Sequence, residues 1–223
     1  MSHNNPQLFL NFAKNRSRVY WLLSHLIERP EPEALADLIA KLNATELGEE
    51  DALSSSLVKI KESLKVEDLA GLSTTLLIEH TRLFRGIRKG YGPPPPYESI
   101  YRGERNVNGE TTLDVMTTYA TYGFDYEGFQ GPKDHIKIEL VFLAFLADQE
   151  KKAREDENED YARQLVQAQH NFLESNLVSF TAKLYEEVCK TDENGFYSEI
   201  TNLMKLYVEQ DLETLTYLLQ ESS

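Results

Sequence analysis

DHIKIELVFLAFLADQEKKA, residues 134–153, decides the fold. Ile136, Leu140, Leu143 and Ala147 recur along one helical stripe, while Ile138, Val141, Phe142 and Phe145 cover other faces. That pattern predicts a helix with neighbours on several sides, the core helix of the chain. Pro132 stands just ahead of it, and Asp134 is placed to cap it or to favour its positive end.

Working outward, the same period recurs on both sides. Leu8, Phe12, Val19, Leu22, Leu23, Leu26 and Ile27 predict a first helix that stops at Pro30 and Pro32. Leu35, Leu38, Ile39 and Leu42 predict a second, and Thr45 is a plausible N-cap for a third running to about Leu64. A fourth spans Glu67 to Phe84 and stops at Gly86. Another runs from about Thr112 to Tyr122, and the last from Tyr161 to Lys190 and Tyr197 to Leu219, broken at Thr191–Gly195. The run REDENED at 154–160 is a solvated helix end or connection. Strand alternation and repeats are absent from the pattern, so the class is all-α.

One segment differs. RGIRKGYGPPPPYESIYRGERNVNGE, residues 85–110, is dense in Gly and Pro, and four consecutive prolines forbid helix and favour a stiff extended stretch. Long irregular loops are functional or disordered. Tyr91, Tyr97, Ile100 and Tyr101 argue for order, because aromatic side chains in a loop pack on something. Glu98 and Ser99 can hydrogen-bond neighbouring backbone and hold the loop's shape.

Composition narrows the function. The 223 residues, 41% hydrophobic, suffice for a core without covalent staples. Cys189 is the only cysteine, which excludes an internal disulfide and any cysteine-rich zinc or iron–sulfur site and suits a reducing, cytoplasmic compartment. The N-terminal residues lack the pattern of a secretory signal. The longest apolar run, Leu140–Ala147, falls short of the roughly 18 to 20 residues that cross a bilayer. A formal charge of −14, from 23 Lys+Arg and 37 Asp+Glu, disfavours nucleic acid and suits a basic peptide or protein, or solubility alone.

Signatures of catalysis are missing: no phosphate-binding loop, dinucleotide fingerprint, H-E-x-x-H or G-x-S-x-G elbow occurs. Of five histidines only His135, with Glu139 four residues on, has a spacing that places two ligands on one helix face. Such a pair is more often a surface hydrogen bond. The expectation is therefore a binding protein with no catalytic residues, metal or cofactor.

PPPPYESIYRG at 93–103 and GPKDHIKIELVFLAFL at 131–146 occur in this order about 35 residues apart. Together they resemble the TorD/DmsD family of molybdoenzyme maturation chaperones, whose members carry P-P-x-E-S-x-Y and later E-P-x-D-H opening a core helix. RVYWLLSHLIERPEPEAL resembles the family's opening helix, and the likeness extends from about Arg18 to Leu177. Gly131 replaces the usual acidic residue and Lys133 adds a positive charge; where relatives show F-L-x-x-H-L-x-x-W, this chain reads FLESNLVSF, with Asn176 and Phe180.

The resemblance implies a single helical domain, a bundle of about eight to ten helices, with a proline-rich hinge loop at about 85–110 joining lobes at about 1–90 and 111–223. It implies a cytoplasmic chaperone that binds the twin-arginine leader and apo form of a molybdopterin-containing oxidoreductase, assists cofactor insertion and prevents premature export. The client-binding candidates it carries over are Tyr97, Glu98, Ser99 and Tyr101 in the loop and Pro132, Asp134 and His135 at the helix start. Carboxylates beside apolar surface would suit a leader's arginines and apolar stretch. Alternatives are a NarJ-type assembly chaperone for a non-exported or membrane-anchored subunit and, further off, a guanine-nucleotide-binding enzyme. A monomer and a domain-swapped homodimer are both compatible with a long hinge loop.

Overall fold

The computed structural model describes residues 6–43, 52–85 and 92–221. The expected cap at Thr45, the helix stop at Gly86 and the packing of Tyr91 lie outside the described residues. Among the described residues the secondary structure is helical: α1 Pro6–Leu26, α2 Pro32–Asn43, α3 Ala52–Ser63, α4 Leu69–Phe84, α5 Glu98–Tyr101, α6 Glu110–Thr121, α7 Ile136–Glu155, α8 Glu159–Phe172, a π-helical turn Leu173–Leu177, α9 Val178–Cys189 and α10 Phe196–Glu221. The all-α class holds. No strand forms among these residues, although an antiparallel bridge pairs Tyr97 with His135.

The chain forms two compact units that interleave along the sequence. The first takes residues up to Ser24, Tyr97–Phe180 and those from Val208 on; the second takes His25–Pro96 and Thr181–Tyr207. The resemblance implies lobes at about 1–90 and about 111–223, whereas each of these units combines separate segments of the chain. Helical periodicity tells which face of α1 or α10 is buried, and carries no record of a partner more than a hundred residues away.

In the first unit α7 is the core helix, as its pattern predicts. Ile136, Ile138, Leu140, Phe142, Leu143, Leu146 and Ala147 are buried, and Val141 and Phe145 are half-buried. Each large apolar side chain removed from water contributes about 1.5–3 kcal/mol. Helix α8, capped by the Asn158 side chain accepting from the Tyr161 amide at 3.2 Å, packs along α7. Phe142 meets Tyr119 of α6 at 4.6 Å and Phe172 of α8 at 4.9 Å between ring centroids. The acidic run at 154–160 spans the end of α7, the connection 156–158 and the start of α8, with Glu157 in the left-handed region at φ 57°.

Polar ties close the same unit. Arg16 of α1 pairs with buried Glu150 of α7, whose other oxygen meets Arg154 at 3.0 Å. Gln169 of α8 donates to Glu150 at 2.8 Å, and the Tyr20 hydroxyl donates to Asp211 of α10 at 2.6 Å.

The second unit packs α2 against α4 through buried Leu35, Leu42, Leu76 and Leu83. Asp68 caps α4 by accepting from the Gly71 amide at 2.9 Å, so the helix starts two residues later than Glu67. The Ser73 hydroxyl donates to the Pro30 carbonyl at 2.6 Å, and Tyr197 of α10 donates to the Leu76 carbonyl at 3.1 Å. Buried Glu79 receives Arg82 and the Glu193 amide, which fixes the break between α9 and α10.

Candidate functional site

The two motif segments meet within the first unit, and Asp134 joins them. Its backbone carbonyl accepts from the Glu98 amide at 2.8 Å. Its side chain accepts from the Ser99 amide at 2.9 Å through Oδ2 and from the Thr112 hydroxyl at 3.0 Å through Oδ1. Thr112 in turn accepts from the Asn108 amide at 3.1 Å. Asp134 and Ser99 are fully buried and Thr112 nearly so. One carboxylate thus ties the start of α5, the start of α6 and the approach to α7.

Asp134 is not the cap of α7. His135 is: its Nδ1 accepts from the Lys137 amide at 3.1 Å. The reason lies in the Tyr97–His135 bridge. Pairing with the loop turns the Asp134 side chain toward Ser99 and leaves the next residue in the extended conformation that an N-cap adopts. The half-buried Tyr97 ring stands edge-on to His135 at 5.0 Å, and the Phe129 ring packs on His135 at 4.9 Å. Half-buried Pro132 lies between exposed Gly131 and Lys133, whose ammonium donates to the Tyr126 carbonyl at 2.9 Å. A side chain at Gly131 would begin 2.8 Å from the Phe129 ring and 3.4 Å from the Tyr97 hydroxyl, so these aromatics fill the place of the family's acidic residue.

Glu98 faces inward, 1% exposed. Its Oε1 accepts from Arg102 Nε at 2.8 Å and its Oε2 from Asn176 Nδ2 at 3.0 Å. Arg102 also donates to the Ser175 carbonyl in the π turn. Tyr101 packs on Phe180 at 5.2 Å between ring centroids. The loop's exit is held by Glu104, which accepts from the Thr111 amide at 3.0 Å.

Behind Glu98 lies a third carboxyl group that the sequence reading did not single out for this role. Glu139 is fully buried and receives no N–H hydrogen bond among the described residues. Burial, then the Glu98 and Asp134 carboxylates, push its carboxyl well above the usual range and favour its neutral form. Burial also pushes Glu98 up, opposed by the hydrogen bond from Asn176 and the charge of Arg102. The Tyr119 phenol, buried beside the same carboxylates, is held well above its ordinary value, and its hydroxyl donates to the Lys133 carbonyl at 3.2 Å.

Adjacent to Asn176 opens a cleft of about 330 Å³ between α6, α8 and the π turn. Tyr122, Ala168 and Phe172 supply apolar wall, while Thr118, Asn171 and Ser175 supply uncharged polar groups. On α6, Leu113 and Met116 are three residues apart and exposed at 61% and 45%. The structure therefore brings all seven predicted residues to one neighbourhood and adds Arg102, Thr112, Glu139 and Asn176. Glu139 could have been found from a carboxylate embedded in an apolar run. Among the described residues no group of three potential metal ligands includes His135 and Glu139.

An all-helical chain whose core helix and preceding loop are joined this way has the fold of a redox enzyme maturation protein. A protein so described from Archaeoglobus fulgidus superposes with a TM-score of 0.53 at 24% identity, over 87% of this chain and 93% of that one. The chain belongs to the nitrate reductase delta subunit family, whose model matches residues 29–186. It is similar to the chaperone protein TorD of Vibrio cholerae, 26% identical over 218 residues covering 94% of this chain and 96% of that protein. TorD of Aliivibrio fischeri is 27% identical over 212 residues, 92% of this chain and 96% of the relative. Membership in the TorD/DmsD group of molybdoenzyme maturation chaperones, implied by the two motifs, therefore stands.

Proposed function

We propose that this chain is a cytoplasmic chaperone that binds the apo form of a molybdenum-containing oxidoreductase and its twin-arginine leader, assists cofactor insertion and holds export back until then. The observation that carries the reading is the joining of both family motifs, through Asp134, into one surface beside a cleft. A leader presents two arginines next to an apolar, helix-prone stretch. Glu98 supplies a carboxylate, and the cleft with Leu113 and Met116 supplies apolar area. Tyr97, Tyr101, Pro132 and His135 are half-buried and contribute surface; Ser99 and Asp134 act by holding that surface in shape.

Titration calorimetry with the leader of a candidate client tests this. The expected dissociation constant is micromolar or tighter, about −8 kcal/mol or better, weakened when both arginines become lysines. Absence of binding to leaders and to apo-enzyme alike would overturn the reading. A NarJ-type role toward a non-exported subunit is favoured by Gly131 and Lys133, which leave the helix approach without the family's acidic residue. Binding of apo-enzyme with its leader deleted, and none of the leader alone, would select that role.

A further inference from the structure

Arg102 holds an unusual position among the groups around Glu98. Its side chain is 43% exposed, while the carboxylate it meets is 1% exposed, so the guanidinium plugs the approach to Glu98 from the solvent side. Nε and one terminal nitrogen both reach Oε1, at 2.8 Å and 2.6 Å, and the terminal nitrogen also donates to the Ser175 carbonyl. Asn176 fixes the other carboxylate oxygen at 3.0 Å. Each of these groups is held independently of Arg102: the Glu98 backbone by the hydrogen bond from its amide to the Asp134 carbonyl, Ser175 and Asn176 by the π turn.

We infer that Glu98 and the Ser175 carbonyl, braced by Asn176, form a guanidinium seat that the chain's own Arg102 fills in the free protein, and that a client arginine occupies it by displacing Arg102. Planar forked donors suit a carboxylate oxygen beside a carbonyl, which a compact ammonium matches less well. Burial makes an empty seat unfavourable, because without a cation Glu98 must either hold its charge away from water or take up a proton and lose its pairing with a guanidinium. Exchanging one guanidinium for another avoids that state: Arg102 swings into water on a stem that is already partly exposed while the incoming group takes its bonds. The buried carboxyl of Glu139 behind Glu98 offers no cation of its own, so charge balance at the seat must come from the solvent side. Such exchange holds a client without a large net change in buried charge, which suits a partner that must later be released.

The client half of this inference rests on the leader-binding reading, and the seat can be tested without it. Arg102→Ala opens the seat, and millimolar N-methylguanidinium should refill it, raising the variant's melting temperature while methylammonium at equal concentration does not and wild type does not respond. Glu98→Gln in the same background should abolish the rescue. Leader affinity should then rise about tenfold in Arg102→Ala, the competitor having been removed. Should Arg102→Ala fail to fold, Arg102→Lys keeps the charge, and its leader affinity should rise severalfold. A folded Arg102→Ala without rescue overturns the seat. Rescue with unchanged or weaker leader binding keeps the seat and overturns the exchange, and no leader binding by wild type counts against the functional reading instead.

Discussion

Asp134→Ala separates a helix cap from a joint between segments. A lost cap costs about 0.5–2 kcal/mol, and in this chain the cap belongs to His135. Removing the Asp134 carboxylate instead leaves two donors unpaired in the interior, the Ser99 amide at 2.9 Å and the Thr112 hydroxyl at 3.0 Å. Each unsatisfied buried group costs about 1–3 kcal/mol, so the expected loss is about 3–5 kcal/mol. Asp134→Asn retains one carbonyl oxygen for the Ser99 amide and turns its NH2 toward the Thr112 oxygen, and should cost about 1–2 kcal/mol. Urea unfolding of wild type and both variants measures this, with amide exchange at Ser99 as a local readout. Thr112→Val completes a double-mutant cycle with Asp134→Ala, and a coupling of about 1 kcal/mol or more is expected for a direct bond. If Asp134→Ala loses less than about 1 kcal/mol and Ser99 stays protected, the joint does not hold the loop.

Two further outcomes concern buried acids. Because burial favours the neutral form of the Glu139 carboxyl, Glu139→Gln supplies its nearest isostere and should change stability at pH 7 by no more than about 1 kcal/mol. Because the folded carboxyl sits above its unfolded value of 4.5, wild type loses stability as pH rises through the folded pKa. Urea melts in a pH series rising from 4 should therefore show the variant gaining on wild type as pH increases, and a large loss in the variant at pH 7 would refute the neutral form. Burial raises Asp211 from 3.8 to about 6, against the opposing charge of Arg16 and the bond from Tyr20. Its contribution is full below pH 4 and is lost as pH rises to about 6, by up to about 3 kcal/mol; Asp211→Asn should flatten that window in stability-against-pH curves.

Much of the fold was legible because helices announce themselves locally. The apolar period of α7, the prolines that end α1 and the break at Thr191–Gly195 all depend on residues within a turn or two. What was not legible depends on distant partners. Asp134 and His135 are both able to cap a helix, and only the bridge to Tyr97, 38 residues earlier, decides between them. The interleaving of the units likewise follows from ties such as Tyr20 to Asp211, separated by 191 residues. The sequence shows Glu139 as a spacing partner of His135, whereas its place within an apolar run means burial, and burial next to two other carboxylates favours its neutral form.

Three buried carboxyl groups around one arginine are a poor way to stabilise a loop. Apolar residues of equal volume would commonly be neutral or stabilising, since taking charges out of water costs several kcal/mol per ion before pairing repays it. The cluster here limits that cost: burial and its neighbours favour the neutral form of Glu139, and Asp134 is met by an amide and a hydroxyl. Glu98 is the member that relies on a cation, and its cation comes from an exposed stem, not from the core. A structure selected for rigidity alone would bury that arginine, as Arg16 is buried against Glu150 in the same unit. Two ion pairs in one unit thus differ in the way their tasks differ. The Arg16 pair ties helices together and is closed to water, whereas the Arg102 pair sits at a surface where one guanidinium can replace another.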